Sequence, residues 1–225
     1  MNRHKEFVLP SNYIGPLRQD IPTRIPEFKN VETESWPLFK LPILTFDPGQ
    51  TTGWSLLILP RRIQGKDVFS WPLDAILASK VQWIHGEINT LGCEDEAAFQ
   101  MGKIAGAWPS AAIVIEDFIL RAERKEKSRE LLSPVRLIAK LESYLWHQQR
   151  KAFKQDPSQA LPIVTNNRLA LLNCLIEDGL EDHARDADRH AVLFVRRCMG
   201  TKGVAVKHSA WPHIYGQIDE MKEAQ

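Results

Sequence analysis

The stretch ILTFDPGQTTGW (residues 43–54) runs from apolar residues into an aspartate, through a turn, and into a second apolar run, GWSLLILP. The segment LPILTF predicts a strand, Pro48-Gly49 a turn, and residues 53–60 a second strand close enough to be its hairpin partner. A carboxylate closing an apolar strand is costly to bury unless it is paired or holds a cation. Asp47 is therefore either a turn residue or one arm of a site completed from elsewhere in the chain.

Reading outward, residues 61–79 form an irregular insertion and KVQWIHGEI a third strand, in which Val81, Trp83 and His85 alternate with polar neighbours. EDEAAFQMGKIAGAW predicts a helix that ends near Pro109. SAAIVIEDFIL is an apolar, β-branched run suited to the covered centre of a sheet. After a charged loop, Ser133-Pro134 supplies an N-cap and a first-turn proline to a helix in which Val135, Ile138, Leu141 and Leu145 share one face. KAFKQDP predicts a fifth strand. Thr165 caps a helix that Gly179 closes, and a last helix covers about residues 186–199. The order β-β-β-α-β-α-β-α-α indicates an α/β sheet of mixed direction.

Residues 1–40 stand apart as an irregular N-terminal extension, with prolines every few residues and no sustained period, and residues 41–225 form the domain. With 225 residues, 44% of them hydrophobic, the chain suits one globular domain with a real core. No apolar run is long enough to cross a membrane, and the first residues lack a signal-peptide core. Cys93, Cys174 and Cys198 are odd in number and lack CxxC spacing, which favours reduced thiols in a cytoplasmic setting over a disulfide frame or zinc site. A net charge of +1 requires any nucleic-acid surface to be local.

Three acids fall at element edges that a single sheet would bring together. Asp47 ends the first strand, Glu116 ends the fourth, and Asp186 starts the last helix. Each alone has an ordinary explanation as a turn residue, a first solvated residue or a helix-dipole partner. Together they suit hard cations such as Mg²⁺ or Mn²⁺, which favour carboxylate oxygens and shared phosphates. Two such ions about 4 Å apart activate a water and stabilise the leaving 3′ oxygen of a phosphodiester. On this reading Asp47, on rigid strand backbone, bridges both ions. Glu116 holds one and orients the attacking water, and Asp186 holds the other.

The motifs DPGQTTGWSLL, IVIEDFIL and HARDADRHAVLF resemble, in order and spacing, those of RuvC-like Holliday-junction resolvases, most nearly the phage-type members. SPVRLIAKLESYLW and KQDPSQALPIVTNNRL are similar to the same branch. The resemblance covers roughly residues 41 to 200. It implies an RNase H-like mixed five-stranded sheet flanked by helices, with the first and fourth strands adjacent. It also implies a metal-dependent endonuclease that cuts branched DNA, the four-way junction, as a homodimer with two Mg²⁺ or Mn²⁺ ions per site. The family pattern places an aspartate before an alanine, with an aspartate or histidine three residues earlier; Asp186-Ala187 and His183 match it. Asp188 lies about 200° round the helix from Asp186 and faces away from any site Asp186 addresses. Asp182 and Glu181 stand as substitutes, and Asp117 is the outward neighbour of Glu116.

For the DNA track, the loop after the fourth strand offers Arg121, Arg124, Lys125, Lys127 and Arg129, interrupted by Glu123 and Glu126. Arg136 and Lys140 extend that track or form the wet side of their helix. Lys154 is a phosphate contact from the fifth strand, while Thr51 and Thr52 either donate to a phosphate or close a polar turn. Trp54 packs in the core. Tyr144, Leu145 and Trp146 widen the apolar side of their helix and suit a subunit contact or ordinary packing. Rival readings are another RNase H-like nuclease acting on hybrids, flaps or duplexes, and a non-catalytic junction-binding protein. A third, an actin-like ATPase or sugar kinase, would need the second Asp-x-Gly motif that this sequence lacks.

Overall fold

The structure is a computed structural model and describes residues 40–79, 81–89, 93–118, 132–172, 175 and 182–216. Strand β1 (Lys40–Asp47) and strand β2 (Thr51–Pro60) form the expected hairpin, in antiparallel register from Lys40↔Pro60 to Asp47↔Gly53. A two-residue hairpin, β3 (Arg62–Ile63) with β4 (Lys66–Asp67), follows it. Strand β5 (Gln82–Asn89) lies antiparallel on the far edge of β2. Strand β6 (Ala112–Glu116) runs parallel to β1, and β7 (Ala152–Gln155) parallel to β6. The sheet order is β5-β2-β1-β6-β7, with β2 running against the other four. This is the RNase H-like mixed five-stranded sheet, flanked by helices on both faces.

Residue parity on the strands sorts the two cores. Leu41 and Ile43 of β1, Leu57 and Leu59 of β2, and Ala112 and Val114 of β6 face one way; they pack on Ala191, Phe194 and Val195 of helix α6 (Asp182–Arg197). The alternate residues Leu44, Phe46, Leu56, Ile58, Ile113 and Ile115 face the other way. They meet Met101 and Ile104 of helix α2 (Glu94–Ala107) and Leu137, Leu141 and Leu145 of helix α3 (Ser133–His147). Trp54 joins the second core, as expected. Strands buried on both faces read as near-continuous apolar runs, which explains why LPILTF and AIVI show no polar alternation.

Several local readings change. Residues 61–79 are not an irregular insertion. After the β3–β4 hairpin, a 3₁₀ turn (Val68–Ser70) capped by Asp67 and helix α1 (Leu73–Leu77) send Val68, Phe69, Ile76 and Leu77 into the first core. Ser133 does not cap α3; it is the first helical residue, and Leu132 holds the cap position without a side-chain bond. Val135 is exposed, and Leu137 takes its place in the buried stripe. Asp156 caps an unforeseen helix α4 (Pro157–Ile163), and Thr165 caps helix α5 (Asn166–Leu171), which stops at Leu172. Gly179 lies outside the described residues. The last predicted helix is already helical at Asp182, four residues early, and helix α7 (Gly203–Ala210) follows it.

Arg136 and Lys140 pair with Glu94 and Asp95 and so tie α3 to α2. Tyr144 packs over Gly102 and Gly106 of α2, where a Cβ on Gly106 would lie 2.7 Å from the tyrosine oxygen. It is thus engaged within the chain, Leu145 is buried, and Trp146 is 73% exposed. Cys93 and Cys198 are free thiols. Among the described residues, no helix is long and apolar enough to cross a membrane.

Candidate active site

Register and parity build the site. Phe46 pairs with Ile115, so the next residues, Asp47 and Glu116, end adjacent parallel strands side by side. Asp47 continues the series Leu41, Ile43, Thr45, and Glu116 the series Ala112, Val114, so both carboxylates stand on the face that α6 covers.

The helix approaches closely because small residues line its path. Ala184, Ala187 and Ala191, at spacings of three and four, are buried against the sheet. On β2, directly across from Asp47, Gly53 leaves its side-chain space to the helix: a Cβ there would stand 1.9 Å from the His183 carbonyl oxygen. Thr45 Oγ1 donates to the Ala187 carbonyl at 2.8 Å and pins the first turns to β1. His183, Asp186 and His190, at spacings of three and four, then face the strand ends.

His183 Nδ1 lies 3.0 Å from Asp47 Oδ2. Burial is the main reason the Asp47 carboxyl sits above the ordinary carboxylate range. The hydrogen bond from His183 opposes that shift, and the neighbouring Glu116 charge adds to it. The same bond lifts the His183 imidazole to about 8, with the charges of Asp47, Glu87 and Asp186 reinforcing it. Both partners thus move up: at Asp47 desolvation outweighs the imidazolium, whereas half-exposed His183 loses less hydration. Burial also raises the Asp186 carboxyl; Arg189 opposes this and Asp47 reinforces it. Three elements therefore bring Asp47, Glu116, Asp186 and His183 close enough for their charges to act on one another.

Asp188 points elsewhere. It is buried, 2.6 Å from His85 Nδ1 and 2.7 Å from Trp83 Nε1, so it joins α6 to the same face of β5. Asp186→Asn is expected to remove activity with little change in Tm. Asp188→Asn is expected to lower Tm by several degrees while retaining most activity, because it weakens buried hydrogen bonds to His85 and Trp83 away from the strand ends. Equal activity of the two variants would sink the assignment of Asp186 over Asp188.

Five nearby residues were not anticipated. His190 Nε2 is 2.7 Å from Glu116 Oε2, and its Nδ1 is 2.8 Å from Gln155 Oε1. Arg189 bonds both Asp186 and Asn166. Glu87, on β5 opposite Gly53, accepts from the Ala184 backbone N–H at 3.3 Å and caps the first turn of α6 from the sheet. Two of these had a sequence signal: His190 lies four residues after Asp186, and Glu87 shares strand parity with His85.

Among the described residues, no three His, Cys, Asp or Glu side chains are gathered at ligating distance around a single point. The donor chemistry nevertheless fits a hard divalent cation. Carboxylates that raise one another's affinity for protons are groups whose repulsion a cation relieves. Asp47, Glu116, Asp186 and neutral His183 would hold it, with His183 exchanging its bond to Asp47 for the ion.

The proposed DNA contacts fare unevenly. Thr52 is fully buried and its hydroxyl bonds the Gly49 backbone at 3.3 Å, so it closes the turn and is not open to a phosphate. Thr51 is partly exposed. Lys154 is half-exposed and shared between Glu142, at 3.2 Å, and Asp117, at 3.7 Å. Arg121, Arg124, Lys125, Lys127 and Arg129 lie outside the described residues.

No family model and no curated relative matches the sequence. Among solved structures, the fold is similar to a T. thermophilus RuvC in complex with a Holliday junction substrate (13% identity, 70% of this chain and 94% of that chain, TM-score 0.47). It is similar also to a Thermus thermophilus RuvC structure (14% identity, 70% of this chain and 95% of that chain, TM-score 0.48). The reading of the site rests on this chain's own residues.

Proposed function

We propose that the chain is a metal-dependent, structure-selective endodeoxyribonuclease that resolves branched DNA, the four-way junction above all, working as a homodimer. The observation that carries the reading is the meeting of Asp47, Glu116, Asp186 and His183, from β1, β6 and α6, at one end of the sheet. Their residue types suit two Mg²⁺ or Mn²⁺ ions, which when bound supply an activated water and stabilise the leaving 3′ oxygen. Asp47 would be the most rigidly placed of the ligands, because paired strands on both sides of β1 hold its backbone. Glu116, from β6, and Asp186, from α6, are close enough to act on its charge, and Glu116 would orient the attacking water. His183, 42% exposed at its side chain, stands where a proton can leave towards solvent. Thr51, Lys154 and the basic residues at 121, 124, 125, 127 and 129 are the proposed contacts to the DNA backbone.

The test is cleavage of a panel of four-way junctions, flaps, RNA–DNA hybrids and plain duplexes with Mg²⁺ or Mn²⁺. Paired, symmetric nicks in the junction are the expected outcome, and chelation with EDTA should abolish them. Cutting of hybrids or flaps with junctions untouched moves the reading to another RNase H-like nuclease. Junction binding without cutting under either metal makes the protein a branched-DNA binder.

A further inference from the structure

The sequence RDADRHA contributes more to the strand ends than its first aspartate. His190 lies on the same side of α6 as His183, two turns further along, and is 1% exposed. Its ring bridges two adjacent strand ends. Glu116 and Gln155 are register partners on β6 and β7, and one ring nitrogen of His190 faces each side chain. The backbone locks the same junction, since the Asp117 N–H donates to the Gln155 carbonyl at 2.8 Å. Gln155 is buried, so this side-chain chain runs inward from Glu116 and ends in the interior.

We infer that His190, steadied by Gln155, is a positioning residue that holds one oxygen of Glu116 and so presents the other to a divalent cation. The inference rests on the nuclease reading of the site. An ionised carboxylate only accepts, so the Nε2 atom of His190 must carry the proton and donate to Glu116 Oε2. Gln155 serves Nδ1 in either orientation of its amide: the oxygen accepts from an Nδ1–H, or the amide nitrogen donates to a bare Nδ1. The amide nitrogen has no other partner, so turning the amide breaks no existing bond. In both arrangements the donor to Glu116 is retained. A glutamate at a strand end has three side-chain torsions to order before it can ligate. A fixed hydrogen bond to one oxygen removes most of that freedom and leaves a pre-set ligand, which is how carboxylates around metals are commonly held.

The experiment is calorimetric titration of the full-length protein with Mn²⁺ alone, without DNA, comparing wild type with His190→Leu and His190→Gln. Glutamine can place an N–H near the position of Nε2, and leucine cannot. The expected result is Mn²⁺ affinity reduced by about tenfold or more in H190L and largely retained in H190Q. The Mn²⁺ concentration for half-maximal cleavage should shift in parallel, while junction affinity in EDTA stays unchanged. A purely structural role would lower Tm without moving the Mn²⁺ requirement. Unchanged Mn²⁺ affinity and half-maximal concentration in H190L would overturn the inference and leave the nuclease reading standing. If the wild type neither binds Mn²⁺ nor cuts any DNA, the nuclease reading itself fails, and the inference with it. Should H190L not fold, Gln155→Leu reads the same contact from β7. It should weaken Mn²⁺ binding in the same direction, and a wild-type affinity there would overturn the inference.

Discussion

Asp47→Asn is expected to reduce junction cutting by about 10³-fold or more while leaving junction binding intact. The substitution keeps the shape of the side chain and its contact with His183 but removes the carboxylate charge proposed to hold the cation. Losing several kcal/mol of transition-state stabilisation at a metal site corresponds to roughly that factor in rate. Stability should hold or rise. Burial already raises the Asp47 carboxyl because the low-dielectric strand end disfavours the anion, and the amide carries no such cost. Turnover, junction affinity in EDTA and Tm together check the prediction. A variant that cuts normally would end the metal-site reading, and one that loses binding and Tm together would make Asp47 a structural residue.

Gly53→Ala is expected to be severely destabilising although it adds a single methyl group. The new Cβ would stand 1.9 Å from the His183 carbonyl oxygen, 2.2 Å from its carbon and 2.7 Å from the Ala184 nitrogen, all of them backbone atoms. No rotamer change relieves such contacts, so either α6 moves off the sheet or β2 bends. Overpacking of this kind costs about 3 kcal/mol or more, a fall in Tm of ~10 °C for a domain of this size. The damage falls on the site as well, because α6 carries His183 and Asp186 and its first turn is what would be displaced. Thermal denaturation together with Mn²⁺-dependent cleavage reads both effects. Wild-type Tm would show that helix and strand do not meet as described.

Both residues lie in the dodecapeptide at 43–54, yet the sequence explains them unequally. Asp47 was legible because a carboxylate closing an apolar strand needs a reason, and because Glu116 closes a second such run. Gly53 read only as the opening of the next strand. Its importance depends on a helix that starts 129 residues later, and nothing local announces that helix's approach. The start of α6 illustrates the same limit. Asp186 resembles a first-turn acid, but the helix already runs from Asp182, and Glu87 of β5 holds the Ala184 N–H from the sheet. Thr165 was readable as a cap because its partner, the Arg168 N–H, lies three residues away in the chain.

The sequence by itself determined the five sheet strands, the two long helices on either side of β6 in the chain, and the three acids worth placing together. Hydrophobic runs, turn residues and local spacing carry that information over ten residues or fewer. Only the tertiary structure decided which face of each strand α6 covers. From that face follow the bond of His183 to Asp47, the hold of His190 and Gln155 on Glu116, and the inward turn of Asp188 towards His85. The physical reason is that strand parity offers two faces at equal local cost. The choice between them is made by close packing: the small residues Gly53, Ala184, Ala187 and Ala191 let one helix come near enough for its polar side chains to reach the strand ends.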